Sequence, residues 1–328
     1  MMGHPSRFTL VKGQGGLGNR MLSVMTATLY SLIMKRRMYV DWRDPIYTGR
    51  SIASQDLFQD LFISSLVDPL PDRLDFESVA PAVWQGRLEE MLGVVGREYD
   101  PDFYKKFNSF TKLGVRLKPV DYPEQLIVFW SWREVMRPLK PLLVRLDARY
   151  RKMTNAEILG ETAKNFLQPC ERVQSLVNEF IATHFQPRML GLHIRATDLQ
   201  APTEKILAVA QRQIREQGCD GVFCATDNAD VEDRVRSLFP NVVTLPKGMA
   251  RGGIPLHYDP ECGDRVERAT QALVDILLLS RCNSLVYASR SSFGYVASLY
   301  ADQGQFVVDV DAYNPIVQMK RIVQSFVY

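Results

Sequence analysis

The sequence predicts an α/β protein built as two Rossmann-like domains, and three observations carry that expectation. A chain of 328 residues is too long for one ordinary core and suits two domains of average size. Its C-terminal half alternates strand-like apolar runs with amphipathic helical stretches, the pattern of a doubly wound parallel sheet. Residues 8–42 show the same alternation once, as a βαβ unit.

Phe8–Val11 reads as a short strand running into a glycine turn, Gly13 to Gly18. Leu22, Met25, Leu29, Leu32 and Ile33 then fall on one helical stripe, and Met38–Trp42 reads as a second strand. Residues 43–122 are rich in Pro, Gly, Asp and aromatics and give no ordered succession of elements; loops and acceptor contacts are expected there. Leu126–Ser131 is a further strand, and Arg137–Gln168 is mostly helical and polar. A boundary near Gln168 divides the chain into an N-terminal domain, 1–168, and a C-terminal domain, 169–328.

Beyond it the pattern sharpens. Val173, Leu176, Val177, Phe180 and Ile181 make a helical stripe, and Met189–Arg195 is a strand. Helix Glu204–Gln217, strand Gly221–Thr226, helix Asp230–Phe239 and strand Val242–Leu245 follow. Helix Glu267–Ser280, strand Ser284–Ala288, helix Ser292–Tyr300 and strand Phe306–Asp309 complete the series. Internal repeats and heptad runs are absent, which removes solenoids and coiled coils.

With 46% hydrophobic and 23% charged residues the composition is globular. Forty Lys and Arg against 37 Asp and Glu leave a net charge of only +3, too little for a nucleic-acid binder, so any anion must be held locally. Five cysteines form no CxxC pair, and the odd count predicts free thiols in a reducing compartment. Residues 1–7 lack the plan of a signal peptide, and the most apolar stretch, 272–288, is interrupted by Asp275, Arg281 and Asn283. A cytoplasmic location is expected.

Gly13, Gly15 and Gly18 spell G-x-G-x-x-G between a strand and a helix, where backbone N–H groups can meet a phosphate. The same pattern serves a tight turn packed closely on its neighbours. Asp41, ending the next strand, also imitates the acidic residue that binds a ribose in a nicotinamide-dependent oxidoreductase, so that class stands as a rival.

In residues 190–198, Leu190, Leu192 and Ile194 take one face of a strand while His193 and Arg195 take the other. They lie at the C-terminal end of a parallel strand, where open α/β sheets bind ligands, and a guanidinium there suits a pyrophosphate. The plainer alternative pairs Arg195 with Asp198. Asp227 ends another strand and reads as the N-cap of the next helix. Asp275 sits in a helix apolar nearly all round, where a carboxylate needs a partner. A buried arginine, a backbone amide or the N–H edge of a guanine would serve. Ser289 to Gly294 place hydroxyls at a helix start, which either cap the helix, the commoner use, or bind phosphate oxygens. His4, His184, His193 and His257 have no metal-ligand spacing, so no metal is expected, and Asp309-Val-Asp311 ends the last strand and reads as incidental.

Together these pieces resemble the fucosyltransferase superfamily of the GT-B type, two Rossmann-like domains with a cleft between them. The nearest likeness is to the branch of the rhizobial nodulation and animal core α1,6-fucosyltransferases. The resemblance rests on Gly15, Gly16, Gly18, Asn19 and Arg20, on residues 40–43, on His193, Arg195, Thr197 and Asp198, on residues 225–227, on His257, on Val274 to Ile276 with Ser280 to Cys282, and on Ser291, Ser292 and Phe293. Residues 51–122 show no match, so the acceptor is not implied.

The resemblance implies a GDP-fucose donor and no metal. The N-terminal domain becomes the acceptor side and the C-terminal domain the donor side. Arg195 would hold the pyrophosphate, His193 and Asp275 the guanine or its ribose, and Ser291 and Ser292 the phosphates. Gly15, Gly16, Gly18, Asn19, Asp227, His257 and Phe293 join the donor-binding set. Inversion implies a carboxylate base for the acceptor hydroxyl, Glu204, with Asp198 as the fallback. The partners implied are a GDP-sugar and a glycan, with peripheral membrane association if the acceptor is lipid-linked. The α1,6 branch carries a second basic residue after the motif arginine; here that position is Ala196. The linkage is therefore not carried over, and a transferase using another GDP-sugar is the alternative to GDP-fucose.

Overall fold

A computed structural model describes residues 6–43, 57–99, 112–117, 120–196, 201–246 and 265–327. The chain folds as two compact units: residues 1–168 together with 320–328, and residues 169–319.

The first unit opens with β1 (Phe8–Lys12), α1 (Leu17–Met34) and β2 (Arg37–Asp41). It continues through α2 (Leu57–Leu61), β3 (Phe62–Ile63), β4 (Val79–Ala80), α3 (Leu92–Tyr99) and β5 (Leu126–Phe129). The helices α4 (Lys140–Leu146) and α5 (Asn155–Phe166) and the short β6 (Gln168–Pro169), which pairs with β3, close it. Its main sheet has the order β2-β1-β5-β4, all parallel. Every residue of β1 and β5 is buried, as a parallel sheet covered on both faces requires. Helix α1 is buried nearly all round, and its hydroxyls are used. Ser23 Oγ accepts the Ser131 N–H and Thr26 Oγ1 the Val135 N–H, which pins the chain leaving β5. The helix ends on Lys35 in the left-handed region, φ 52°.

Residues 57–99, which offered no pattern, supply much of this core. Leu74, Val79, Trp84, Leu88, Leu92 and Val95 cluster with Leu10, Leu126 and Val128.

The second unit runs α6 (Glu171–His184), β7 (Met189–Ile194), α7 (Thr203–Gln217), β8 (Gly221–Thr226), α8 (Ala229–Leu238) and β9 (Val242–Val243). Then come α9 (Arg265–Ser280), β10 (Ser284–Tyr287), α10 (Ser292–Tyr300), β11 (Phe306–Asp309) and α11 (Pro315–Val327), whose residues from Lys320 onward belong to the first unit. The sheet is parallel throughout, in the order β11-β10-β7-β8-β9. Helix α11 continues past the last strand and was not legible in the sequence. With Gly221–Thr226, Ser292–Tyr300 and Phe306–Asp309 the expected and observed bounds coincide.

The sheet order fixes where a ligand can go. From β7 the chain moves outward to β8 and β9, then returns to β10 on the other flank of β7 and continues to β11. The direction of winding reverses between β7 and β10, and a crevice opens at the C-terminal ends of two such strands.

Candidate functional site

At that switch point His193, the penultimate residue of β7, is only 6% exposed. Its imidazole stacks on the Phe293 ring, centroids 5.0 Å apart and planes 15° apart. The contact depends on Gly294. A Cβ there would lie 2.7 Å from Tyr287 Cβ and 3.0 Å from His193 Nδ1, so α10 approaches β7 and β10 this closely only because position 294 carries a hydrogen.

Arg195 follows β7, partly buried, with its guanidinium 4.0 Å from Asp227 Oδ2. Asp227 Oδ1 accepts the Ala196 N–H at 2.8 Å. This corrects the expectation that Asp227 caps α8. The cap is Asn228, whose side chain accepts the Val231 N–H at 3.1 Å, and Asp227 instead fixes the backbone beside Arg195. Asp198 and His257, and with Asp198 the expected Arg195 pair, lie outside the described residues.

The turn from β10 into α10 is held from the neighbouring strand. Asp309 Oδ1 accepts the N–H groups of Ser289 and Asp311, both at 2.9 Å. The Asp311 carboxylate takes Arg290 Nε at 2.9 Å, its terminal nitrogen at 2.8 Å and its backbone N–H at 3.2 Å. Burial pushes the Asp311 carboxyl up, but the Arg290 bonds outweigh it and hold the group below the usual carboxylate range. Asp309-Val-Asp311 is therefore a clamp on Ser289 and Arg290. Ser291 stands at the N-cap of α10, 7% exposed, and its hydroxyl makes no bond to the helix. The commoner, capping use expected of it is not made. Ser292 begins α10, half-buried.

Helix α7 starts beside these turns. The Ala201 N–H donates to the Arg195 carbonyl at 3.1 Å, and Lys205 Nζ donates to the Val310 carbonyl at 2.5 Å. Glu204, in the first turn, is exposed and pairs with Arg234 at 2.8 Å. Asp275 is 2% exposed on α9, between Val274 and Ile276, on the helix that packs against α10 and β7.

The glycine turn lies in the first unit and is shaped by that unit's own side chains. Gly15 adopts φ +72°, and a Cβ there would lie 2.4 Å from the Trp132 ring; one at Gly13 would meet the Arg20 guanidinium at 2.3 Å. Arg20 Nε donates to the Gly15 carbonyl at 2.9 Å. Gly16 is the N-cap of α1, Gly18 is buried in its first turn, and Asn19 beside it is half-buried. Asp41 is not available to a ribose. One oxygen takes Lys12 Nζ at 2.7 Å, and Arg43 binds both at 2.9 and 3.2 Å, within a pair that is nearly wholly buried. Burial raises the Asp41 carboxyl, but Lys12 and Arg43 together hold it below its ordinary value. The one acidic residue on which an oxidoreductase reading stood is an internal counter-ion.

Sequence reasoning missed the Lys12–Asp41–Arg43 cluster and the Arg290–Asp311 clamp, because each joins segments distant in the chain. Cys170, Cys219, Cys224 and Cys282 are free thiols, and Cys262 lies outside the described residues. Among the described residues no group of three His, Cys, Asp or Glu is placed to hold a metal ion, and no helix is long and apolar enough to cross a membrane.

Comparison with known proteins places this geometry in a family. The sequence pattern of the family described as Nodulation protein Z matches residues 159–325, just over half the chain. Nodulation protein Z of Bradyrhizobium diazoefficiens is 28% identical over a stretch covering 45% of this chain and 44% of that protein, so the match spans less than half the relative's length. Among solved structures, NodZ α-1,6-fucosyltransferase soaked with GDP-fucose aligns over 94% of this chain and 97% of that one, with TM-score 0.61 and 21% identity. An Arabidopsis thaliana FUT1 mutant with GDP aligns over 91% and 70%, TM-score 0.55, 16% identity. POFUT1 with GDP-fucose aligns over 93% and 97%, TM-score 0.53, 10% identity. The fold is that of the GT-B type.

Proposed function

The chain belongs to the Nodulation protein Z family, and from that premise we propose that it is a glycosyltransferase moving fucose from GDP-fucose to a hydroxyl of a glycan acceptor. The observation that carries the reading is the meeting of His193, Phe293, Arg195 and the Ser291 turn at the switch point of the second unit. An aromatic stack and a guanidinium on the last residues of β7 and just after it, with a helix N-cap whose hydroxyl makes no bond to its helix, suit a nucleoside diphosphate. The similar solved proteins that hold GDP or GDP-fucose lend support.

In this reading the second unit binds the donor and the first the acceptor. Arg195 and the hydroxyls of Ser291 and Ser292 hold the pyrophosphate, while His193, Phe293 and Asp275 receive the guanine and its ribose. Asp227 and His257 complete the donor contacts of the second unit. The reaction is a one-step inversion without a metal. Glu204, released from Arg234, takes the acceptor proton, or Asp198 does so in its place. Charge building on the β-phosphate as the sugar bond breaks is met by Arg195.

Two commitments are separable, the donor nucleotide and the sugar. Titration with GDP, UDP and NAD⁺ by calorimetry should show binding to GDP alone. Incubation with labelled GDP-fucose or GDP-mannose and a panel of glycan acceptors should give transfer from GDP-fucose. Transfer from GDP-mannose alone would replace the sugar and keep the mechanism, and tight NAD⁺ binding would sink the reading.

A further inference from the structure

A second feature of the first unit has no part in donor binding. A cavity of about 810 Å³ lies between the segment that follows β5, α4, the turn around Arg151, and α11, and all of its lining residues belong to that unit. Six cationic side chains line it: Arg133, Arg137, Lys140, Arg145, Arg151 and Arg321. Glu134 is the one carboxylate among them, 3.5 Å from Arg133. For a chain of net charge +3 this is a local concentration of positive charge that the composition does not require.

Arg145 and Arg151 are exposed, and none of the described contacts engages either guanidinium. Gathering like charges in one concavity works against the compact state, and an anion seated among them relieves the repulsion. Guanidinium groups offer paired donors that match phosphate oxygens.

The cavity is also apolar, with Met136, Val144 and Ile322 in its walls. Ile322 is 57% exposed, and along α11 it is joined by Ile316, Met319 and Val323, each more than half exposed. That spacing puts the four on one helical face, with Lys320 and Arg321 interleaved. An exposed apolar row flanked by cations is the plan of a helix that lies at a lipid–water interface.

We propose that this cavity is a phosphate-binding site, in which the arginines hold the oxyanion of a lipid phosphate while the apolar row of α11 lies against the lipid chain. It gives a lipid-linked acceptor a physical place on the molecule, yet it stands whatever the donor sugar. The occupant is a phosphate with an apolar chain attached; a soluble phosphate shares the head-group chemistry and lacks the chain.

The test uses the full-length protein in flotation with phosphatidylcholine vesicles, with and without phosphatidylglycerol, beside a calorimetric titration with inorganic pyrophosphate. The wild type should float with the phosphatidylglycerol vesicles only, and added salt should release it. Each arginine lost at an anionic surface should lower partition about fivefold, so Arg145→Ala with Arg151→Ala should lower it roughly thirtyfold. Ile322→Asp, at an exposed position, should weaken flotation and leave pyrophosphate binding intact. Thermal melting confirms that each variant is folded. Failure of the folded wild type to float, or equal flotation of the double variant, overturns the proposal. Pyrophosphate binding that persists under saturating GDP and is lost in the double variant, without flotation, overturns the lipid and leaves a soluble phosphate in its place. GDP binding in the same samples reports separately on the donor reading: its loss with flotation intact sinks that reading and not this one.

Discussion

Replacing Asp311 by Asn tests whether Asp309-Val-Asp311 is a clamp or a metal site. Asp311 is 1% exposed and receives three hydrogen bonds from Arg290. An amide keeps one acceptor and turns an N–H donor toward the guanidinium, so at least one charge-assisted bond is lost and the charge pair with it. Breaking a wholly buried pair costs about 3–5 kcal/mol, and one charge-assisted hydrogen bond about 1.5–3 kcal/mol. The Arg290 side chain is 28% exposed and is partly rehydrated, which brings the expected loss to about 2–4 kcal/mol. In a unit of this size that lowers the melting temperature by roughly 5–15 °C.

The pH dependence has a definite sign. The folded-state pKa of Asp311 lies below its unfolded value, so its contribution is complete above about pH 4 and lost as pH falls through the lower, folded value. The variant should show a smaller loss of stability over that acid range. Melting is followed by circular dichroism across pH, with and without Mn²⁺ and EDTA. Neither addition should move the wild-type midpoint. A wild type stabilised by Mn²⁺, with a variant that is not, would make the pair metal ligands and refute the clamp; so would a variant melting within about 1 °C of wild type.

Three further outcomes are expected. Arg195→Ala should lower kcat roughly a hundredfold or more in the transfer assay, and Arg195→Lys should recover little, because an ammonium cannot reproduce the fork; rates within a few-fold of wild type would return Arg195 to a structural pair with Asp227. Glu204→Gln should lower kcat strongly with GDP affinity kept, and normal turnover would pass the base role to Asp198. Gly294→Ala should destabilise by about 1–3 kcal/mol through overpacking against Tyr287 and should weaken GDP binding by displacing His193, while unchanged calorimetry would separate the stack from the donor site.

How much was legible depended on whether a signal was periodic and local. The strands β7, β8, β10 and β11 are short apolar runs between amphipathic helices, and the period alone located them within a residue or two. In the first unit β4 has two residues and α2 five, too few to establish any period, although Val79 and Leu57 are fully committed to the core. Helix α11 escaped because Ile316, Met319, Ile322 and Val323 imply a face turned inward, and no inward partner follows from the sequence. At the site, Arg195 and His193 announced themselves as basic residues ending a buried strand. The confusion of Asp227 with Asn228 as a cap was a one-residue ambiguity that side-chain geometry alone resolves. The Asp41 and Asp311 pairings close distances of 29 and 21 residues, and neither spacing obeys a local rule.

The flanking of β7 by β10 also sets a schedule for the molecule's making. Met189 N–H donates to the Asn283 side chain across 94 residues, and no shorter segment supplies a neighbour on that side of β7. Closing so long a loop is entropically late, and sheets joined by such distant pairings are slow to form. A chain still emerging from the ribosome can pair β7 with β8 while lacking Phe293 altogether. The His193–Phe293 stack is then one of the last contacts to form, and GDP, if it binds there, selects finished molecules over nascent ones and holds the completed sheet against reopening.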